Sequence, residues 1–282
     1  MLDIKRLEQI EQDVLSCGHW GTIGPHSLSA ADALAKYTGA AYGLLCHSAD
    51  GAYEALLRTL GARLAALPHG DVTVVGEIGT PQNSLIALCV GSSPVFCSVC
   101  EGCGMIAPEA LLAALEATTL PVRAVVVDYL AERECAGGDM LQRVSELCRE
   151  KGVPLVINAG GCIGAMYDGR PLTAYADAVV YSLGAGSAID IGMGGLVTTD
   201  HTDVYGGVFA YHNCGRSFGD GCSLNMDDIV GGDLRVTEWI AAAAEDILAQ
   251  GALAAPAPRA LVRMQGQPVF ESDYAEKMTA RT

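Results

Sequence analysis

Val180-Tyr181-Ser182-Leu183-Gly184-Ala185-Gly186-Ser187 and, a short spacer later, Gly192-Met193-Gly194-Gly195-Leu196-Val197-Thr198-Thr199 form the stretch on which the reading of this chain turns. Each half joins a short apolar run to a cluster of glycines. Apolar runs of this length, bounded by turn residues, read as strands buried on both faces of a sheet. The stretch therefore gives strands at 177–182 and 195–199, with Ser182 at a strand end.

The same pattern recurs upstream, with strands expected at 42–46, 72–76, 94–99, 123–127 and 154–158. Helical spacing places helices at 50–66, 82–90, 107–117, 139–151 and 233–250. Ile4, Leu7, Ile10 and Leu15 line one face of a helix over 4–16. A Gly/Pro loop follows at 18–27, and Ser27 or Ser29 is expected to cap a helix running to about Tyr37. Strand–helix alternation implies an α/β protein whose largely parallel sheet is covered on both faces. Ligands in such sheets sit at the C-terminal ends of the strands. Residues 252–258 (Ala-Leu-Ala-Ala-Pro-Ala-Pro) read as a linker before a short tail. The domain reading is thus one large domain over 1–250, with linker and tail over 251–282.

The 282 residues, half of them hydrophobic, suffice for a sizeable core. A net charge of −16 argues against nucleic acid or an anionic membrane as partner. No apolar run reaches membrane-spanning length, and the charged amphipathic start is unlike a signal peptide, so a cytoplasmic location is expected. The eleven cysteines are then expected to be reduced thiols. Cys97, Cys100 and Cys103 have a C-x2-C-x2-C spacing compatible with a metal, but no fourth ligand is evident. Small buried hydrophobes are the simpler reading of these cysteines. Cys214 near His212 is a weaker signal still.

The opening stretch resembles the lysine segment of the DegT/DnrJ/EryC1/StrS aminotransferases, makers of amino sugars and aminocyclitols that use pyridoxal phosphate. Further pieces follow in the family's order. They are Trp20-Gly21 through Gly24-Pro25-His26, Ala33 to Ala40, Pro94-Val95-Phe96, Pro154 to Ala159, Gly164-Ala165 with Asp168-Gly169-Arg170, His212 to Arg216, and Gly231 to Glu238. The resemblance implies a three-layer α/β/α large domain of the aspartate aminotransferase type, with the small C-terminal domain truncated. It also implies an active site at a dimer interface.

Departures from the family pattern share a direction. The Schiff-base lysine falls on Ser187, which has no amine. The phosphate clamp falls on Ser48-Ala49-Asp50. A carboxylate about 4 Å from a phosphate repels it by about 4 kcal/mol per unit charge at an effective dielectric near 20. The ring-stacking aromatic falls near Thr80, and the aspartate that pairs with the pyridine nitrogen falls on Asn158. The asparagine reaching across the dimer falls on Asp233, while the phosphate-contacting serine is kept as Ser182. Of the four lysines, Lys5, Lys36, Lys151 and Lys277, none follows the strand at 177–182.

The leading expectation is a non-catalytic subunit, with no covalent cofactor, forming a homodimer or pairing with a lysine-bearing aminotransferase paralogue. Pyridoxal or pyridoxamine phosphate would then be bound only non-covalently or by the partner. A repurposed enzyme is the second reading, with Cys46, His47, Asp50, Ser187 and Asp190 as candidate groups. The third is a small-molecule-binding module.

Overall fold

The computed structural model describes residues 4–62, 64, 70–130, 139–218, 224–226, 230–251, 253, 255–259 and 261–267. In chain order the first elements are α1 (Ile4–Ser16), α2 (Pro25–Thr38), β1 (Tyr42–Cys46) and α3 (Ala49–Ala62). Next come β2 (Asp71–Gly76), β3 (Ile78–Gly79), α4 (Pro81–Cys89), β4 (Ser92–Cys97), α5 (Pro108–Ala117), β5 (Val122–Asp128), α6 (Met140–Lys151) and β6 (Leu155–Gly160). The remainder is β7 (Met166–Tyr167), β8 (Arg170–Pro171), β9 (Ala178–Ser182), β10 (Gly195–Thr199), α7 (Thr202–His212), β11 (Arg216–Phe218), β12 (Leu224–Met226), α8 (Glu238–Ala249) and β13 (Val262–Arg263). The class is α/β, and most pairings between the longer strands are parallel. Among the described residues no helix is long and apolar enough to cross a membrane.

Two compact units divide the chain. The first comprises residues 1–56, 159–173 and 178–257. In it β1, β10 and β9 lie side by side and antiparallel, from Tyr42↔Thr199 to Cys46↔Gly195 and from Gly195↔Ser182 to Thr198↔Val179. Helix α8 packs on α1 and α2. Ile10 and Val14 of α1 meet Ala242 and Ala243 of α8, with Trp239 and Ile191 at the margin. Alanines let the two helices approach closely.

The second unit comprises residues 57–158, 174–177 and 258–282. Its strands run in the order β6-β5-β2-β4, all parallel. Val125, Val126, Val127, Val156 and Ile157 are almost wholly buried, as expected for strands covered on both faces. Parallel strands bring their C-terminal ends to one edge, and Asp128 of β5 lies directly beside Asn158 of β6. Residues 262–263 return as β13 to pair antiparallel with β3, Val262 against Gly79 and Arg263 against Ile78.

Three expectations need correction. Neither Ser27 nor Ser29 caps α2; Gly24 does, because Pro25, with its fixed φ, takes the first helical position. Ser27 sits inside the first turn, where its hydroxyl accepts from Gly24 N–H at 3.0 Å. The last expected helix begins at Glu238 instead of residue 233, since Asp233, Arg235 and Thr237 form bridges with Asn213, Cys46 and Thr22. The strand expected at 94–99 ends at Cys97, and Val99 forms a bridge with Ile106.

Candidate functional site

In the second unit, the strand ends carry a polar cluster. Asp128 closes β5 and is 5% exposed, so its carboxylate must be met by donors. Thr80 N–H donates to Oδ2 at 2.8 Å, Thr80 Oγ1 to Oδ1 at 2.6 Å, and Asn83 Nδ2 to Oδ2 at 2.9 Å. Thr80 is the N-cap of α4, and Asn83 lies on its first turn. Asn158 Nδ2 donates to Asn83 Oδ1 at 2.7 Å, so the Asn158 carbonyl oxygen is turned away from the network. Gly79 allows the close approach, since a Cβ there would stand 2.6 Å from Asp128 Oδ2.

Arg259 fills the remaining acceptors. Its Nη1 donates to Asn158 Oδ1 at 3.0 Å, Thr80 Oγ1 at 3.2 Å and Asp128 Oδ1 at 3.3 Å. Its Nη2 donates to the Tyr129 and Asn158 backbone carbonyls at 2.6 and 2.9 Å. The structure therefore gathers two sequence candidates, Thr80 and Asn158, around one guanidinium. Chemically the cluster is a cation-binding arrangement. Asp128, Asn83 and Arg259 were not singled out by sequence. A carboxylate ending the apolar run Val125-Val126-Val127 was the available signal for Asp128.

In the first unit, the other candidates are placed around β9 and β10. Ser48 caps α3, its Oγ accepting from Gly51 N–H at 3.0 Å. Gly195 separates Ser48 from Ser182, for it pairs with Ser182, and a Cβ on it would lie 2.2 Å from the Ser48 carbonyl oxygen. Ser182 Oγ accepts from Gly184 N–H at 3.1 Å. Asp50 lies in the first turn of α3 with its pKa raised by partial desolvation. Ser187 is buried, with Gly161 packed against it: a Cβ on Gly161 would be 2.7 Å from Ser187 Cα. Asp190 organises the same loop, accepting from Gly186 and Gly192 N–H, each at 3.0 Å. Asp233 forms a two-pronged pair with Arg235 at 2.8 and 2.9 Å, and that pairing lowers its pKa.

Cys46 is fully buried and its thiol is pushed up to about 12 by desolvation, while His47 follows it on the loop into α3. Cys97 ends β4, buried, its thiol raised to about 11 by desolvation and by Glu77. Cys100 is a half-buried free thiol, whereas Cys103 is disulfide-bonded, which overturns the expectation of reduced thiols at that position. No three metal-capable side chains are grouped among the described residues.

His212 is 2% exposed and lines a cavity of about 140 Å³ with Ala31, Leu45 and Phe209. Its Nδ1 contacts the Phe209 carbonyl at 2.6 Å. Burial pushes the ring pKa down to about 4. The unfolded chain protonates this histidine near pH 6.5, but the folded ring stays neutral until about pH 4. Its stabilising contribution is therefore complete above pH 6.5 and is lost as pH falls from 6.5 towards 4, by roughly 3 kcal/mol in all. Melting curves between pH 7.5 and 4.5 check this: His212→Gln should lose several degrees less over that interval than the unmodified chain. Equal losses would contradict it.

Comparison with known proteins gives this architecture a lineage. The model of the DegT/DnrJ/EryC1/StrS aminotransferase family matches residues 3–250. An L-glutamine:2-deoxy-scyllo-inosose aminotransferase of Streptomyces fradiae is 32% identical over 215 residues, covering 74% of this chain and 48% of the relative. An L-glutamine:scyllo-inosose aminotransferase of Streptomyces griseus is 26% identical, covering 68% of this chain and 44% of the relative. The chain thus spans about half the length of the curated relatives it matches. Among solved structures, 3-amino-5-hydroxybenzoic acid synthase superposes with a TM-score of 0.76 at 23% identity, over 89% of this chain and 62% of that one. Helicobacter pylori PseC, an aminotransferase of pseudoaminic acid biosynthesis, gives 0.75 at 21% identity, over 89% and 64%. These likenesses establish the aminotransferase fold, and the match over residues 3–250 establishes that the chain belongs to the DegT/DnrJ/EryC1/StrS aminotransferase family.

Proposed function

We propose that this chain is a non-catalytic member of its family, a pseudo-aminotransferase subunit. It pairs with itself or with a lysine-bearing relative in amino-sugar, aminocyclitol or other natural-product biosynthesis. The pathway class follows from its relatives, which include aminotransferases for inososes. The observation that carries the reading is Ser187, a buried serine against the Gly161 backbone where an amine is required. Lys36 and Lys151 are on helix surfaces, and Lys5 lies in α1.

The residues present do not fit pyridoxal phosphate. Asn158 is a neutral amide whose oxygen already accepts from Arg259, and Thr80 offers no ring face. Asp50 adds a carboxylate to the helix start where a phosphate would have to sit. No reaction step is therefore routed through the cofactor in this chain.

Restoring the amine alone is expected to fail. Ser187→Lys must bury four methylenes and an ammonium beside Gly161, overpacking and desolvating at once. The variant should melt roughly 5–10 °C lower and remain unlabelled at position 187 after incubation with pyridoxal phosphate and borohydride. Stoichiometric labelling there would contradict the reading. The assembly is tested by a tagged pull-down from the native extract. The expected result is a lysine-bearing family member in near-equal amount, or the chain as an inactive homodimer. Enzyme-like turnover by the isolated chain would refute the proposal.

A further inference from the structure

We propose that the start of α4 and the C-terminal ends of β5 and β6 build a receptor for a planar nitrogen cation, a guanidinium or amidinium, and that Arg259 is an internal ligand held there. This rests on the reading above that no cofactor occupies Thr80 and Asn158.

The receptor is organised without Arg259. Thr80, Asn83, Asp128 and Asn158 satisfy one another through four hydrogen bonds of 2.6–2.9 Å. The donors used in these four bonds point inward. Five acceptors face Arg259: Asp128 Oδ1, Asn158 Oδ1, Thr80 Oγ1, and the carbonyls of Tyr129 and Asn158. Five oxygen acceptors grouped around a buried carboxylate select a cation over an anion. Its acceptors split into two groups, three met by Nη1 and two by Nη2. That division suits a planar fork better than a single ammonium.

Arg259 fits the receptor imperfectly. Its Nε is buried with no hydrogen-bond partner among the described residues. The arginine side chain thus carries one donor that the pocket does not use; an amidinium presents the same two nitrogens without it, and methylguanidinium, with the same five donors as arginine, is the like-for-like probe. The segment that carries Arg259 is a narrow strap. It is held by the Val262–Arg263 pairing with β3, by Met264 N–H donating to the Glu77 carbonyl at 2.8 Å, by buried Met264, and by an Arg263–Glu77 pair at 3.2 Å. These contacts anchor the strap beyond Arg259, so emptying the pocket does not require releasing the strap.

The test uses the full chain carrying Arg259→Ala, melted in graded methylguanidinium chloride up to tens of millimolar. The variant should melt about 5–8 °C below the unmodified chain and recover about 3–5 °C, saturably, as methylguanidinium fills the vacated pocket. The unmodified chain should not respond, and neither urea nor tetramethylammonium at equal concentration should rescue the variant. Adding Asp128→Asn should abolish the recovery. Absence of saturable recovery, equal recovery by urea, or recovery that survives Asp128→Asn would each overturn the proposal. If Arg259→Ala does not fold, Arg259→Gln carries the same titration and the same criteria. Enzyme-like turnover by the unmodified chain would refute the non-catalytic reading and leave this rescue unchanged; loss of rescue would refute the receptor and leave the turnover result unchanged.

Discussion

Glu238→Ala is expected to lower the melting temperature by on the order of 10 °C, the largest effect of any single polar substitution in the first unit. Glu238 is the first residue of α8 and is wholly buried. Its carboxylate accepts from the backbone N–H groups of Gly24 at 3.0 Å, His26 at 2.7 Å and Ser27 at 3.2 Å. Those donors open α2, where a helix has no internal acceptors to offer them. One side chain therefore serves two helix starts. It satisfies the first turn of α2 and places negative charge at the positive end of both dipoles. Alanine strands the donors in a site closed to water. Hydrogen bonds to a charged group contribute roughly 1.5–3 kcal/mol each, and partial relaxation should leave a net loss of roughly 3–5 kcal/mol. Glu238→Gln keeps an acceptor oxygen but directs an amide N–H₂ at neighbouring donors, so about half the loss should remain. Thermal melts of both variants check the order. A loss below about 2 °C for Glu238→Ala would show that water reaches the α2 donors.

Asp71→Ala is expected to produce a loss of similar size in the second unit. Arg123 of β5 is 8% exposed and bound by two prongs to Asp71 of β2, Nε to Oδ1 at 2.9 Å and Nη2 to Oδ2 at 2.6 Å. Its Nη1 donates to the Val90 and Leu57 carbonyls at 3.2 and 3.4 Å. Gly61 makes room, for a Cβ there would be 2.6 Å from Arg123 Cζ. Removing the aspartate leaves a buried cation with only carbonyls for company, at a cost of roughly 3–5 kcal/mol. Replacing both partners removes the desolvated charges together. Asp71→Leu combined with Arg123→Met should therefore recover most of the stability lost by Asp71→Ala. Urea titrations of the singles and the double decide it. Additive losses would mean that the pair is not coupled, against the geometry.

The strongest elements were legible because local pattern and tertiary role coincide. The helix read at 4–16 and the strands read at 42–46 and 195–199 match α1, β1 and β10 residue for residue. Helix α7 escaped reading. Its sequence Thr-Asp-Val-Tyr-Gly-Gly-Val-Phe-Ala-Tyr-His has no amphipathic period, and its two glycines and β-branched and aromatic residues give it poor intrinsic propensity. The β3–β13 pair escaped for a different reason: two-residue strands have no periodicity, and their partners are far apart in sequence. The candidate site follows the same division. Thr80 and Asn158 could be singled out because the resemblance to the family places two of its cofactor-contacting positions on them. Nothing local connects them to Arg259, about a hundred residues beyond Asn158 and past an Ala/Pro linker. Ser187, Ser48 and Ser182 were legible by position, while their satisfaction by neighbouring backbone required the fold.

The claim at the centre is that this chain does not hold pyridoxal phosphate as its catalytic relatives' family does. The most direct test incubates the purified chain, alone, with pyridoxal phosphate, reduces with borohydride and maps the products peptide by peptide by mass spectrometry. The account predicts no stoichiometric adduct at any of the four lysines, Lys5, Lys36, Lys151 or Lys277, and no amino transfer from L-glutamine under the same conditions. A single lysine labelled to one equivalent, with turnover that disappears on its replacement, would contradict it.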